Sequence, residues 1–559
     1  MDSKSFKNKT DILISVALFS VTVFVWTLGG LDPMNLPKFF LLSIFSFGAL
    51  SLLILNFRKL MAQKNRFVLL PTIGLLLSML ITLLTSGAPV AQQLFGADGR
   101  NTGFFTYLAL VSLFLATALN STMQLAKPLM FAIIGAFIVN VVYGFIQAIK
   151  LDPLATKWQN PYSPVVGTFG NPNFMGAFLG IGFAFAAAYL VSKRSNLKVR
   201  LLALSYLLIG GFDILKSDAQ QGLIVAAASI GLVVYFLIKH YVPNKSVHIT
   251  YLAISFLLGL TALFGTLQKG PLSSLLYKES VTYRGDYWHA GIQMFKTHPF
   301  FGVGLDSYGD WYRASRSLEA TLRRGPSIVS NAAHNVFIDI AATAGIFALV
   351  CYLAIVFMGF RAARNIFKRA SEFNPFHIGV FVAWVGYLIQ SVISINNIAL
   401  AIWGWILPGV LIAVDRFQSS EDNILNPKML NTGSKSEFSG MVLTSGLIAG
   451  LIFGLIPIKS DAGFKNALDS QLSNLIYEKS QTWPTNPNRL MYAARIFDEN
   501  KFYTQSEKLA RAAVKLNPRD FNSWKYLYDL ATVSTDEKNK ILLTLKTLDP
   551  HNPDLAKLG

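Results

Sequence analysis

Apolar segments long enough to cross a membrane recur along most of the chain. Of its 559 residues, 53% are hydrophobic and only 14% are charged, whereas charged residues make up about 25% of an average soluble chain. A helix needs roughly 17–25 apolar residues to span a bilayer, and we identify about thirteen such segments. The pattern predicts an all-α, polytopic membrane protein. The predicted spans lie near residues 12–28, 39–56, 68–85, 104–119, 129–149, 174–191, 201–215, 222–238, 249–266, 336–357, 378–395, 398–413 and 441–458.

The basic residues produce a net charge of +19, and they cluster in alternate loops between the predicted spans. Basic residues concentrate in the cytoplasmic loops of membrane proteins, so their placement predicts topology and does not indicate a nucleic-acid partner. We expect the amino terminus inside and the first span retained, since no small-residue cleavage site follows it. The long loop and the tail are then extracytoplasmic. The supporting clusters are Lys4, Lys7 and Lys9; Arg58, Lys59, Lys64 and Arg66; Lys193, Arg194, Lys198 and Arg200; and Arg361, Arg364, Lys368 and Arg369.

The chain divides into four predicted regions. Residues 1–266 form the amino-terminal transmembrane helices, and residues 267–335 form a long extracytoplasmic loop that carries the candidate catalytic residues. Residues 336–458 form the remaining transmembrane helices. Residues 459–559 have the composition of a water-soluble, amphipathic helical tail, which we expect outside the membrane.

The tail resembles a short tetratricopeptide array. The triplet Leu-Asn-Pro at residues 516–518 recurs as Leu-Asp-Pro at residues 548–550, an offset of 32 residues, which is close to the tetratricopeptide period of about 34. Two helix pairs are few for an independent solenoid. A plain helical tail that packs on the loop is therefore the alternative interpretation.

The long loop pairs a basic stretch with a histidine at its end. Arg284 opens an aromatic, amphipathic segment, and His334 stands just before the apolar span that begins at Val336. Arginine binds phosphate through bidentate hydrogen bonds, and histidine is suited to accept a proton near neutral pH. A lone arginine is more often a surface residue and a lone histidine a capping residue, but together they favour chemistry on an anionic, lipid-linked substrate. The other lysines and arginines between Arg284 and His334 are Lys296, Arg313, Arg316, Arg323 and Arg324.

No metal or cofactor site is predicted from the sequence. The chain has one cysteine, Cys351, within a predicted span, and its seven histidines are scattered. Metal sites need several ligands that converge on one ion. We therefore expect a metal-independent reaction without a cofactor.

Three segments, taken in order, resemble the O-antigen ligase/polymerase superfamily. The first is Gly-Thr-Phe-Gly-Asn-Pro-Asn at residues 167–173. The second runs from Arg284 and Trp288 through the His-Pro pair at 298–299 to the Gly-Val-Gly triplet at 302–304. The third is His-Asn at 334–335, followed by a glycine at 345. The resemblance covers about residues 10–415, and its most specific part is the stretch from 284 to 345.

The resemblance implies an activity and roles for particular residues. Members of the superfamily are multi-span helical proteins that transfer an oligosaccharide from undecaprenyl diphosphate to an acceptor at the outer face of the cytoplasmic membrane. By this resemblance Arg284 holds the diphosphate and His334 activates the acceptor hydroxyl. A second arginine is usual in the hairpin at residues 216–222, where this chain has a lysine and two glutamines. The predicted diphosphate-binding residues are Arg284, Lys216, Gln221, Arg313 and Arg316.

The predicted function is transfer or polymerisation of an undecaprenyl-diphosphate-linked glycan by an inverting, metal-independent enzyme of the bacterial cytoplasmic membrane. Its predicted partners are this donor, membrane lipids and a glycan, lipid or protein acceptor. The alternatives are a protein O-oligosaccharyltransferase of the same superfamily, a transporter of small solutes, and a scaffold that acts through its tail. Transporters usually carry ionisable residues deep in their helices. Here Asp213 and Asp339 are the main ones, and both lie near the outer ends of predicted spans.

Overall fold

A computed structural model describes residues 3–26, 29–152, 165–271, 273–421 and 436–558. Within these residues every regular element is a helix, which confirms the predicted all-α class. Before the long loop, the helices are α1 (Ser3–Val23), α2 (Asn35–Leu55), α3 (Phe57–Leu60), α4 (Arg66–Thr85), α5 (Val90–Phe95), α6 (Phe104–Leu115), α7 (Ala126–Ala148), α8 (Pro172–Val191), α9 (Leu197–Lys216), α10 (Gln220–Tyr241) and α11 (Lys245–Thr266).

Four short or amphipathic helices form the loop, and the chain then returns to long apolar helices. The loop contains α12 (Ser273–Leu276), α13 (Glu279–Thr297), α14 (Tyr308–Ser315) and α15 (Leu318–Arg324). The next membrane-type helices are α16 (Val336–Arg369), α17 (Pro375–Ile393), α18 (Ile398–Glu421) and α19 (Ser436–Ser470). The tail contains α20 (Ser473–Ser480), α21 (Pro487–Glu499), α22 (Tyr503–Leu516), α23 (Phe521–Asp529) and α24 (Thr535–Leu548).

Ten of the described helices are long and apolar enough to cross a membrane. Each predicted span falls largely on one helix, although residues 27 and 28 of the first span lie outside the described residues. The helices α1, α6 and α9 were also predicted to span, but they are not among the ten. The total of thirteen spans therefore stays a prediction.

Large apolar side chains cover the outside of the helical bundle as well as its core. On α11, for example, Ile249 is 67% exposed, Phe256 66% and Leu258 65%. Helix α8, by contrast, is buried along most of its length between α10 and α17. A continuous exposed apolar surface is unfavourable in water and marks contact with a partner or a membrane. This surface suits lipid contact around a packed helical core.

A kink in α16 packs against the middle of the loop. Gly345 leaves the helical conformation with φ at +80°, and a Cβ there would lie 2.0 Å from the carbonyl oxygen of Phe300. The freed backbone groups bond to the loop, because the Val303 amide donates to the Ala342 carbonyl at 2.9 Å and the Ile346 amide donates to the Pro299 carbonyl at 2.8 Å. Glycine permits both the positive φ and this close approach. The glycine at 345 therefore allows the membrane helix to pack directly against the loop segment that contains the Gly-Val-Gly triplet.

The tail has a core of its own and also docks on loop helix α14. Asn517 donates to the Asp310 carboxylate at 3.0 Å, and Asp549 forms ion pairs with Arg313 at 2.9 Å and Arg316 at 2.7 Å. Asn517 and Asp549 occupy the equivalent middle positions of the repeated triplet. The same position of each repeat thus contacts the same helix. The tail is helical as predicted, and its assignment as a tetratricopeptide array stays a prediction.

These contacts put the loop and the tail on one side of any membrane. The four helices α16 to α19 separate them in the chain, and all four are candidate membrane spans. An even number of crossings returns the chain to the side from which it started. The predicted division at residues 458 and 459 falls inside α19, which continues unbroken into the tail as far as Ser470.

Candidate functional site

His334 lies at the junction between the loop and α16, in a conformation that is uncommon for residues other than glycine. Its φ is +53°, in the left-handed region that few non-glycine residues occupy. The next residue, Asn335, caps α16, because its side-chain oxygen accepts hydrogen bonds from the amides of Phe337 and Ile338 at 3.0 and 3.1 Å. The Trp288 indole donates to the His334 carbonyl at 3.4 Å. The helix cap thus fixes the backbone that follows His334, and the hydrogen bond from Trp288 of α13 holds the His334 carbonyl.

The imidazole of His334 is neutral at physiological pH. Burial and then the positive charges of Arg284, Arg100 and Arg324 lower the pKa of His334 to about 3, from the ordinary value of 6.5. A neutral imidazole carries a free lone pair and can accept a proton. The charges of three guanidinium groups, two from the loop and one from the segment between α5 and α6, therefore act on one candidate base.

Arg284 has a buried guanidinium nitrogen without a hydrogen-bond partner. The side chain extends from α13, the atom without a partner is its Nε, and burial lowers its pKa. A buried polar atom without a partner is unusual in a folded protein and requires an explanation. An anionic ligand that accepts hydrogen bonds from the guanidinium would supply one.

Arg324 is held by aromatic rings at the end of α15. Its guanidinium lies 4.0 Å from the centroid of the Tyr283 ring and donates a hydrogen bond to the hydroxyl of Tyr287. The neighbouring Arg323 points elsewhere and forms an ion pair with Asp286 at 2.7 Å. Of these two adjacent arginines, only Arg324 contributes to the potential at His334.

Arg100 reaches the same site from the loop between α5 and α6. It is 7% exposed, forms ion pairs with Asp306 at 3.4 Å and Asp339 at 3.9 Å, and donates to the Asn331 carbonyl. The sequence-based site did not include it. The available signal was a single arginine within a glycine-rich loop on the predicted outer side, where basic residues are few.

The match to a known family falls on this region of the chain. Residues 206–353 match the family model described as O-antigen ligase. The chain therefore contains an O-antigen ligase domain. The match extends from α9 through the whole loop and into α16, and so it includes both Arg284 and His334. It assigns the domain to ligase-type glycan transfer and supports the family resemblance of the sequence motifs. No curated protein matches the chain.

Within the O-antigen ligase domain, the hairpin between α9 and α10 adjoins the start of the loop. Asp218 forms an ion pair with Lys278 at 2.8 Å, just before α13. Gln221 is 2% exposed, and neither its amide nitrogen nor its oxygen has a hydrogen-bond partner. The ammonium group of Lys216 lies 5.5 Å from the Phe212 ring. In the described part of the chain, neither Lys216 nor Gln221 hydrogen-bonds with Arg284 or His334, and their predicted role in donor binding stays a prediction.

The structure places Arg313 and Arg316 in a second cluster, against the tail. Besides Asp549, Arg313 donates to the Pro326 carbonyl at 2.6 Å, and Arg316 donates to the carbonyls of Pro326 and Ile328 at 3.0 Å. Both side chains are buried. These partners leave little capacity for a diphosphate, so the structure supports a docking role for both arginines more directly than the predicted donor-binding role.

No group of three or more His, Cys, Asp or Glu side chains suited to a metal ion occurs among the residues that the structure describes.

Proposed function

We propose that this protein transfers a glycan from a lipid diphosphate, undecaprenyl diphosphate on the family resemblance, to a hydroxyl acceptor at the outer face of the cytoplasmic membrane. The acceptor oxygen attacks the anomeric carbon while the bond from that carbon to the diphosphate breaks. The proton of the acceptor passes to His334, and the bonding electrons leave with the lipid diphosphate. A single displacement of this kind inverts the anomeric configuration and requires no metal.

The observation that supports this proposal most strongly is the neutral His334 beside Arg284, Arg324 and Arg100. A general base must be unprotonated before the reaction, and burial, together with the positive charges of the arginines, keeps His334 unprotonated. The same groups stabilise the negative charge that develops on the leaving diphosphate, which is the type of electrostatic effect that contributes most to catalysis in many enzymes. The same set of arginines therefore serves both the neutral base and the leaving diphosphate.

The test compares purified full-length variants in lipid nanodiscs, supplied with an undecaprenyl-diphosphate oligosaccharide and with membrane extract as the source of acceptor. His334→Ala is expected to lower the transfer rate about 10²–10⁴-fold, the usual contribution of a general base, with donor binding nearly unchanged. Arg284→Lys keeps the charge but loses the bidentate geometry, and it is expected to weaken donor binding and transfer together.

Arg323→Lys is the matched control, because Arg323 lies in the same loop and pairs with Asp286 at a partly exposed position. It should transfer at close to the wild-type rate. Wild-type turnover in Arg284→Ala or His334→Ala would contradict the proposed site. Movement of the intact donor across the membrane without formation of a glycosidic bond would instead favour the transporter alternative.

A further inference from the structure

A cleft outside the matched domain lies between the membrane helices and the tail. Its cavity volume is about 60 Å³, small beside the roughly 300–1,000 Å³ of common small-molecule sites, so it can hold only the edge of one ligand unit. One wall comes from the start of α2, from α5 and from the loop that follows α5. The opposite wall comes from the outer part of α19 and from the segment that leads into α21. The residues that the argument below uses are Asp32, Phe95, Asn101, Asp461 and Arg489, all of which line the cleft.

The charged groups of this cleft are already fixed by the protein. The Asp32 carboxylate accepts hydrogen bonds from the amides of residues 34, 35 and 36 at the start of α2, and Asp461 accepts one from the Leu31 amide at 2.6 Å. Arg489 pairs with Asp461 at 3.7 Å and donates to Ser460 at 2.5 Å. Helix-end amides and a guanidinium thus compensate these carboxylates. The cleft offers oriented polar groups, with more carboxylates than guanidinium groups in its lining.

One polar group in the cleft lacks a partner. Asn101 is 8% exposed, and its side-chain oxygen is buried without a hydrogen-bond donor. Its φ of +55° is a conformation that asparagine tolerates better than most residues. A buried acceptor of this kind is normally satisfied. A ligand that brings a hydroxyl donor would satisfy it.

The apolar part of the lining includes one aromatic side chain, and an exposed tryptophan lies beside it. Phe95 lines the cleft, and Trp483 packs edge-on against it with 5.4 Å between the ring centroids. Trp483 is 53% exposed. Ligand sites commonly combine aromatic surface with a few oriented polar groups that fix the ligand's orientation. A sugar ring, with hydroxyl groups around its edge and apolar C–H faces, matches this combination.

The cleft adjoins the proposed active site through a single loop. Asn101 lines the cleft, whereas the preceding Arg100 pairs with Asp339 and acts on His334. Asp306 holds this loop in place by accepting hydrogen bonds from the Ala97 amide at 2.6 Å and from the Thr102 hydroxyl at 3.0 Å. A glycan seated in the cleft would therefore contact the residue that follows Arg100, one of the arginines whose charge acts on the candidate base.

We propose that this cleft binds an uncharged sugar unit of the acceptor glycan. The proposal that the cleft binds a sugar depends only on the residues of the cleft. The proposal that this sugar belongs to the acceptor rests on the proposed transfer function. Three carboxylates and one guanidinium around the cleft disfavour a phosphorylated ligand, so the diphosphate belongs at the arginines around His334. The tail supplies one wall, and the tail thus takes part in acceptor recognition.

Saturation-transfer NMR on the full-length protein in nanodiscs, without donor, tests the proposal. The probes are maltotriose and N,N′-diacetylchitobiose as uncharged sugars, trigalacturonic acid as an anionic sugar and chitobiose amine as a cationic one. We expect millimolar binding of at least one uncharged sugar. Asn101→Gly keeps the backbone conformation and removes the orphan oxygen, and it should weaken that binding roughly three- to tenfold, the usual effect of one hydrogen bond.

Lys501→Gly is the matched control, because it makes the same change at an exposed, left-handed position of the tail. Asp98→Ala, at the exposed rim of the cleft, is the second test variant if Asn101→Gly fails to fold. The proposal is overturned if no uncharged sugar binds, if only a charged sugar binds, or if both cleft variants bind like the wild type.

His334→Ala separates this proposal from the proposed function. It should abolish transfer and leave sugar binding intact. Sugar binding in a protein that shows no transfer at all would contradict the proposed function and leave the binding site standing. Normal transfer in a protein that binds no uncharged sugar would contradict the proposed binding site and leave the proposed function standing.

Discussion

The imidazole ring of His334 stacks on the phenol ring of Tyr287, with 4.9 Å between the ring centroids and 29° between their planes. Tyr287 lies on α13, one turn beyond Arg284, and the Tyr308 hydroxyl donates to its backbone carbonyl at 2.5 Å. The stack therefore fixes the candidate base relative to the helix that carries the principal arginine.

Tyr287→Leu is expected to lower transfer about 10²-fold, since a displacement of about 1 Å can cost that much. Tyr287→Phe keeps the ring and loses only the hydrogen bond from Arg324, so it should remain much closer to wild type. Steady-state kinetics on both variants provide the measurement, with donor binding as a check on folding. Equal activity of the leucine and phenylalanine variants would show that the stack does not position His334.

The pKa of His334 predicts an unusual pH dependence. Protonation removes the lone pair, so activity is lost as the pH falls through the pKa. With that pKa near 3 in the free protein, kcat/KM should not fall between pH 8 and pH 5. A bound diphosphate offsets the arginine charges and raises the pKa, so the acid limb of kcat should begin at a higher pH than that of kcat/KM. A fall of kcat/KM with a midpoint near pH 6.5 would contradict the prediction that burial and the nearby arginines lower the pKa of His334.

Asp549→Asn tests the docking of the tail. Asp549 is fully buried with two arginines, and breaking a buried ion pair by removing one partner typically costs about 3–5 kcal/mol. We expect a lower Tm and faster proteolysis of the tail. Asp554→Asn is the control, because Asp554 and Lys557 form an exposed pair and such pairs contribute little.

Arg313→Ala and Arg316→Ala distinguish docking from donor binding. If both arginines only dock the tail, each substitution should lower the Tm and speed proteolysis of the tail. The donor affinity of the folded fraction should then change little. A large rise in the donor KM with an unchanged Tm would restore their predicted role at the diphosphate.

Gln221→Leu tests the hairpin at the position where the family usually has an arginine. The substitution removes a buried amide whose polar atoms have no partner, so the Tm should stay the same or rise. If the amide binds the donor, the donor KM should rise roughly tenfold, the effect of losing one or two hydrogen bonds. An unchanged KM would assign Gln221 a structural role.

The topology prediction concerns the side on which the loop and tail lie. Because these regions contact each other, a reporter after Leu516 and one in the loop must agree. The basic clusters place both outside. A phosphatase fused after Leu516 should therefore be active, since it works only outside the cytoplasm, and a fluorescent reporter that matures only in the cytoplasm should be dark. The reverse result would invert the whole topology.

Much of the fold was predictable because the relevant signals are local. The length of an apolar segment determines whether a helix can span a bilayer, and ten of the predicted spans fall on helices that qualify. Arg284 and His334 were predicted as site residues from motifs within one loop, and the match to the O-antigen ligase family includes that loop. The repeated triplet of the tail was visible as well, although its contacts with α14 were not.

The sequence by itself determined the helical, membrane-type architecture, the loop that carries the candidate residues and the family of that loop. Only the tertiary structure decided which arginines act on the charge of His334. Arg100 reaches it from a distant loop that Asp306 pins in place, and Arg313 and Arg316 are instead engaged by Asp549. The sequence alone cannot distinguish these arginines, because the charge and side-chain length of arginine are the same at every position. Their partners depend on which distant segments pack together, and no local pattern encodes that.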